Sequence, residues 1–133
     1  MSALIIDTST HVLHLGLYHA NKLIAWESLP HANQLSNFLL PSINTLLQVQ
    51  GLSPRDLHYI AVGTGPGSFT GTRVGVIVCM SLSFSLDIPH IGFSSLLIDK
   101  PRELLIAHIQ EKFKDEIYDL EINYQNFFET RFV

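Results

Sequence analysis

The chain has 133 residues, enough for one ordinary domain that buries a core without disulfide or metal staples. Its net charge of −4, with only eight Lys and Arg spread thinly, excludes a free-standing nucleic-acid binder, which needs clustered cations for the phosphates. A hydrophobic content of 47% implies a large core or an apolar surface that meets a partner, and the lone Cys79 excludes an internal disulfide.

The elements follow from periodicity. Leu4-Ile5-Ile6 is a short unbroken apolar run, the mark of a central strand covered on both faces. It ends in Asp7-Thr8-Ser9-Thr10, small polar residues suited to a turn. His11–Tyr18 reads as a second strand, His19–Lys22 as a turn, and Leu23–Glu27 as a third strand returning antiparallel. From Asn33 the period lengthens: Leu35, Phe38, Leu39, Ser42, Ile43, Leu46 and Leu47 recur at three and four, predicting an amphipathic helix that stops at Gly51, with Pro41 bending it. Ser53-Pro54-Arg55-Asp56 carries the signals of one short helical turn, and Tyr59–Val62 those of a fourth strand.

A glycine-rich stretch follows, Ala61 to Gly75, with five glycines and Pro66 between two apolar runs. This is the punctuation of strand, tight loop and helix start. It is not a Walker loop, because Ser68, Thr70 or Thr72 stands where the second glycine belongs and no lysine follows. The Rossmann spacing fails because Gly71 arrives one residue late, and Ser68 is not a nucleophile elbow because Pro66 and Thr70 stand where glycines are needed. Ser68, Phe69 and Thr70 therefore shape the loop. A second helix is predicted over Thr72–Leu86, apolar or small nearly all round and so buried on more than one side: the sheet on one, a neighbouring helix or subunit on another. Ile88–Gly92 fits a fifth strand. Lys100-Pro101-Arg102 marks a boundary, after which Glu103–Lys114 reads as a polar helix with Leu104, Ile106, Ile109 and Phe113 as its apolar positions, and Glu116–Ile122 as a strand.

The order β-β-β-α-β-α-β, with two crossover helices beside antiparallel hairpins, is that of an α/β ribonuclease-H-like half-domain with a mixed five-stranded sheet, as used by the actin-like ATPase superfamily. The domain division expected is a complete lobe over 1–99 and a short helix and strand over 100–133. The start Met1–Asp7 lacks the basic flank and apolar length of a signal peptide, and the run Val74–Ile88 is too short to span a bilayer, so a cytoplasmic protein with no membrane segment is expected.

Gly65, Pro66, Gly67, Ser68, Phe69, Thr70, Gly71, Arg73 and Gly75 match every fixed position of G-P-G-S-F-T-G-x-R-x-G, and on this the chain resembles the TsaB (YeaZ) family. The resemblance runs from Met1 to about Ser95, with a weaker echo at Glu116-Ile117-Tyr118. It implies a non-catalytic scaffold for a TsaD-like catalytic subunit and a TsaE-like ATPase in tRNA threonylcarbamoyladenosine (t6A) modification, touching tRNA only indirectly. It also implies a partner surface on the two long helices, here Leu35, Phe38, Leu39, Ile43, Val76, Met80 and Leu82, which would equally pair two copies in a homodimer. Family members have a second half-domain, of which this sequence offers only a degraded opening segment before Val133.

Asp7, Thr8 and Ser9 read either as a vestigial phosphate loop or as a strand-end turn in which Asp7 accepts backbone N–H groups. No cofactor is expected on this chain alone; ATP and a metal are expected only in the partner complex. His11 and His14 sit three apart on a strand and face opposite ways, no H-E-x-x-H occurs, and the paired helical histidines of TsaD have no counterpart in the first helix, so no metal site is expected. The histidine common before S-x-x-L-L-P in the family is replaced by Leu35. Arg73 either braces the loop or contacts a partner. Cys79 has no base or cation beside it in sequence and reads as a small core residue. The rival expectation is an enzyme, an actin-like ATP-binding phosphotransferase or an M22-type peptidase homologue.

Overall fold

The structure is a computed structural model that describes residues 1–20 and 22–114. Strands β1 (Ser2–Asp7), β2 (Val12–His19), β3 (Lys22–Pro30), β4 (Tyr59–Gly63) and β5 (His90–Phe93) form one sheet in the order β3-β2-β1-β4-β5. β2 pairs antiparallel with β1 and β3, whereas β4 runs parallel to β1 and β5. Every residue of β1 is buried, as its unbroken apolar run demands of the middle strand. β3 outruns its predicted end because its pairing continues to Val12↔Pro30.

Alternation along β1 divides the core. Leu4 and Ile6 point to the side covered by α1 (Leu35–Val49) and α2 (Phe69–Leu86), where they meet Leu15, Leu39, Ile43 and Cys79. Ala3 and Ile5 point to the other side, with Tyr59, Ile91 and Phe93. The buried positions of α1 are Leu35, Leu39, Ile43, Leu46 and Leu47, whereas Phe38 and Ser42 of the stripe predicted from the spacing of three and four are exposed and partly buried, and the helix runs on through Pro41. The turn at Pro54–Asp56 is a 3₁₀ helix, with the Ser53 N–H donating to the Asp56 carboxylate at 2.8 Å.

Four expectations are corrected. First, α2 starts at Phe69, three residues before Thr72, because Ser68 caps it: Ser68 Oγ accepts the Gly71 N–H at 3.1 Å. Second, the resulting 18-residue helix is long and apolar enough to cross a bilayer by length and composition. It is instead a layer helix, since its inner face lies on a sheet whose edge strands β3 and β5 are open among the described residues. An open-edged sheet has no place in hydrocarbon. Third, although α2 meets both the sheet and α1, only Gly75, Cys79 and Ser83 are fully buried, Val74, Val76, Val78, Leu82 and Leu86 are partly buried, and its outer face is left uncovered by the described residues.

Fourth, Lys100 is not a boundary in the packing. A 3₁₀ turn, Ser95–Asp99, leads into a helix α3 over residues 102–114, which closes the second face of the sheet. Leu105 and Ile109 are fully buried there, Ile106 and Phe113 are partly buried, and Phe113 stacks on Tyr59 at 4.0 Å between centroids. The apolar stripe includes Leu105, whereas Leu104 is 56% exposed. The predicted strand Glu116–Ile122, and with it the echo at Glu116–Tyr118, lies outside the described residues.

Because α3 completes the core, truncating Leu105 removes buried surface and leaves a cavity. Leu105→Ala is expected to lower the urea-unfolding free energy by roughly 2–4 kcal/mol. An unchanged midpoint and slope would mean that the lobe ends at residue 99.

Candidate functional site

The glycine stretch is a seam, and the turn Asp7-Thr8-Ser9 is what it closes on. Glycines recur at every fourth position, Gly63, Gly67, Gly71 and Gly75, and a Cβ at any of them would collide with that turn. At Gly63 it would strike the Asp7 carboxylate, at Gly67 Ser9, at Gly71 the Thr8 carbonyl at 2.6 Å, and at Gly75 the Thr8 side chain. Gly71 and Gly75 lie inside α2, where glycine costs roughly 1 kcal/mol relative to alanine, so contact distance and not helix propensity selects them. Gly65 differs: its φ of +104° is a conformation that side chains disfavour.

Hydrogen bonds tie the seam on both sides. Thr8 Oγ1 donates to the Gly71 carbonyl at 2.6 Å, and the Ser68 N–H, at the head of α2, donates to the Ser9 carbonyl at 2.6 Å. Across the loop, the Gly65 N–H donates to Ser95 Oγ at 3.0 Å, the Ser95 N–H to the Gly65 carbonyl at 2.9 Å, and the Thr64 N–H to the Phe93 carbonyl at 3.0 Å.

Asp7 takes the strand-end geometry. Its Oδ1 accepts from the Ser9 N–H at 3.1 Å and from Ser9 Oγ at 2.6 Å, while Oδ2 is buried without a hydrogen-bond partner. Asp7, Thr8 and Ser9 are all buried. These residues do not fit a nucleotide phosphate on the glycine loop: the Ser68 N–H at the helix head holds the chain's own carbonyl, and Thr8 fills the space beside Gly71 and Gly75. Asp7 Oδ2 is one anionic atom, and among the described residues no three His, Cys, Asp or Glu side chains gather in a way that would hold a metal.

Arg73 neither braces the loop carbonyls nor pairs with a carboxylate among the described residues; its guanidinium lies over the Phe69 ring at 4.3 Å. Both residues line an open groove of about 600 Å³ with Pro66, Thr72, Val76 and Ile77. Along α2, Phe69 is 72% exposed, Ile77 62%, Met80 51% and Phe84 90%. The outer face of the helix is therefore apolar, with Arg73 the only charge between Phe69 and Leu86. Cys79 lies on the inner face, and burial pushes its thiol up to about 12, the opposite of what a nucleophile needs.

The residues expected on the partner surface divide. Leu35, Leu39 and Ile43 are core residues, at most 5% exposed, and present nothing to a partner: they are the face that α1 turns to the sheet. Val76 and Leu82 are half-buried against the same core, and Phe38 and Met80 are exposed. Sequence reasoning passed over Phe84 and Ile77, although their spacing from Met80 places all three on one helical face, and over Ser95, whose bonds to Gly65 no local pattern announces.

The sheet order and layering define the class: a ribonuclease-H-like α/β half-domain with a mixed five-stranded sheet. Thermus thermophilus RuvC shares the fold at 14% identity and a TM-score of 0.50, covering 71% of this chain and 64% of its own. Residues 30–102 match the family model described as TsaD, tRNA N6-adenosine threonylcarbamoyltransferase. The tRNA threonylcarbamoyladenosine biosynthesis protein TsaB of Bacillus subtilis is 35% identical over 95% of this chain and 57% of its own length. YeaZ from Pseudomonas aeruginosa superposes with a TM-score of 0.66 at 34% identity, over 73% of this chain and 45% of that one. The chain belongs to the TsaB (YeaZ) family, and it spans about half the length of the relatives it matches.

Two outcomes follow. Gly75→Ala should destabilise the fold by roughly 1–3 kcal/mol through overpacking against Thr8, and Thr8→Ala in that background should recover part of the loss in the same denaturation assay. Non-additivity of that sign is the signature of the seam; simple addition would refute it. Native Cys79 should resist a thiol-exchange reagent at pH 8 and react at once in denaturant, whereas rapid native labelling would show that α2 does not seat on the sheet.

Proposed function

We propose that this chain is a non-catalytic partner subunit for a TsaD-type threonylcarbamoyl transferase in t6A modification of tRNA, acting in the cytoplasm and meeting tRNA only through its partners. The observation that carries the reading is the outer face of α2, where large apolar side chains stand in solvent, while the Ser68 N–H at the helix head and Oδ1 of Asp7 are bonded within the chain. Phe69, Ile77, Met80 and Phe84 form a patch of the kind that marks a protein interface. Arg73, flat against Phe69, adds the one oriented charge, and aromatic residues, methionine and arginine are the types enriched in interfaces. A second groove lies between α1 and α2, lined by Leu40, Pro41, Asn44 and Leu82. The names of the relatives point to the same pathway.

A scaffold reading asks nothing of Asp7 beyond holding its turn. ATP and a metal then belong to the assembled complex, with a TsaE-type ATPase as a further member, and no step of the chemistry is placed on this chain. The rival, an ATP-dependent phosphotransferase or a peptidase, needs an activated nucleophile or an open phosphate cradle; Cys79 and the seam supply neither.

Phe84→Asp tests the proposal. The side chain is 90% exposed, so the variant should keep its circular dichroism and unfolding midpoint while losing co-purification with a TsaD-type subunit. In a TsaB-depleted cell it should also fail to restore the modified nucleoside that the parent chain restores. A folded Phe84→Asp chain that still binds and still restores modification would overturn the assignment.

A further inference from the structure

On the face of the sheet away from α1 and α2, the head of α3 is held by a stack of unlike groups. Gly16 and Trp26 are partners across β2 and β3, and a Cβ at Gly16 would strike the indole at 2.8 Å, so the ring lies over bare backbone. The Arg102 guanidinium, at the start of α3, lies over that ring at 3.8 Å, and its Nη1 donates to the Ile98 carbonyl at 2.8 Å. Beside the indole stands the half-buried His14, its ring centroid 6.0 Å away. The Trp26 indole N–H donates to Ser28 Oγ at 3.2 Å, and Ser28 Oγ pairs with His14 Nδ1 at 2.9 Å. The Ser28 hydroxyl proton is thus free for Nδ1, which accepts it only in a neutral imidazole that carries its proton on Nε2.

We propose that His14 is a proton-sensitive latch for α3. Neutral, it leaves Arg102 seated on Trp26; protonated, it sets a second cation beside that guanidinium, reverses the Ser28 bond and loosens the head of the helix. Leu105 and Ile109 lie further along α3, so their seat on the second core weakens with it. Three charged groups face His14: Asp7, its cross-strand neighbour on β1, Arg102 from α3, and Asp99 from the 3₁₀ turn. Burial holds the imidazole below its ordinary 6.5; Asp7 opposes that, Arg102 adds to it, and Asp99 opposes it. The folded chain therefore takes up this proton less readily than the unfolded chain. The stability that the latch contributes is whole above pH 6.5 and is lost as the pH falls from there through the depressed value. The latch lies on the opposite side of the sheet from the α2 patch and does not depend on what that patch binds.

The test uses the full chain, whose single tryptophan is Trp26. Between about pH 8 and about pH 5 the Trp26 emission should change, and hydrogen exchange of the α3 amides, corrected for its intrinsic pH dependence, should become at least roughly threefold faster. His14→Gln should abolish both responses. Arg102→Gln should move the midpoint to higher pH, because it removes a cation that disfavours protonation. Equal α3 exchange at the two pH values, or a response that persists in His14→Gln, would overturn the latch. So would an emission change without a change in exchange, since an imidazolium beside an indole quenches it without moving the helix. Should His14→Gln fail to fold, the Arg102→Gln midpoint decides, and an unmoved or lowered one overturns the proposal.

Discussion

The seam between the Asp7–Ser9 turn and the glycines of the α2 junction is the constraint on which the remainder of the structure depends. Glycines four apart in sequence present a side-chain-free strip over the last turn of the loop and the first two turns of α2, and the turn after β1 lies in that strip. The close approach lets the Ser68 N–H reach the Ser9 carbonyl and Thr8 Oγ1 reach the Gly71 carbonyl. It thereby fixes where α2 starts and which way it faces. A side chain at Gly71 or Gly75 would lever the helix away from the Thr8 turn.

From that orientation the division of α2 into two unlike faces follows. The inner face is made of small residues, Gly75, Cys79 and Ser83, because the helix sits close to the sheet and large side chains would hold it off. Val74, Val76, Val78, Leu82 and Leu86 flank these, partly buried against the core, and Phe69, Ile77, Met80 and Phe84 are turned outward. In a monomer of this size the reverse is expected, with bulky groups inside and small ones at the surface. That arrangement leaves Phe69, Ile77, Met80 and Phe84 in solvent on the outer face.

The same seam bears on chemistry. A glycine loop at a helix N-terminus ordinarily offers free N–H groups to an anion. Here the chain supplies its own acceptor in the Ser9 carbonyl, and the carboxylate beside it spends one oxygen on Ser9. A ribonuclease-H-like fold thus says little by itself about what this lobe does, since function resides in groups that remain available and not in the backbone plan.

Much of the architecture was legible in the residues. The unbroken run Leu4–Ile6 announced a strand buried on both faces, the change of period at Asn33 announced α1, and the glycine motif located the junction before α2. The sequence by itself determined which elements form, because periodicity and turn chemistry are local. Only the tertiary structure decided which face of each helix is spent inside. Leu35, Leu39 and Ile43 belong to a helical stripe that serves equally well as core or as interface, and the sheet settles the matter by occupying it. α2 has apolar or small residues on every side, so its pattern carries no direction; contact with Thr8 at Gly75 supplies one. Ser95 at the loop and Leu105 on the second face of the sheet were invisible for the same reason: their partners, Gly65 for one and Ile5 with its core neighbours for the other, are distant in the chain and adjacent only once it has folded.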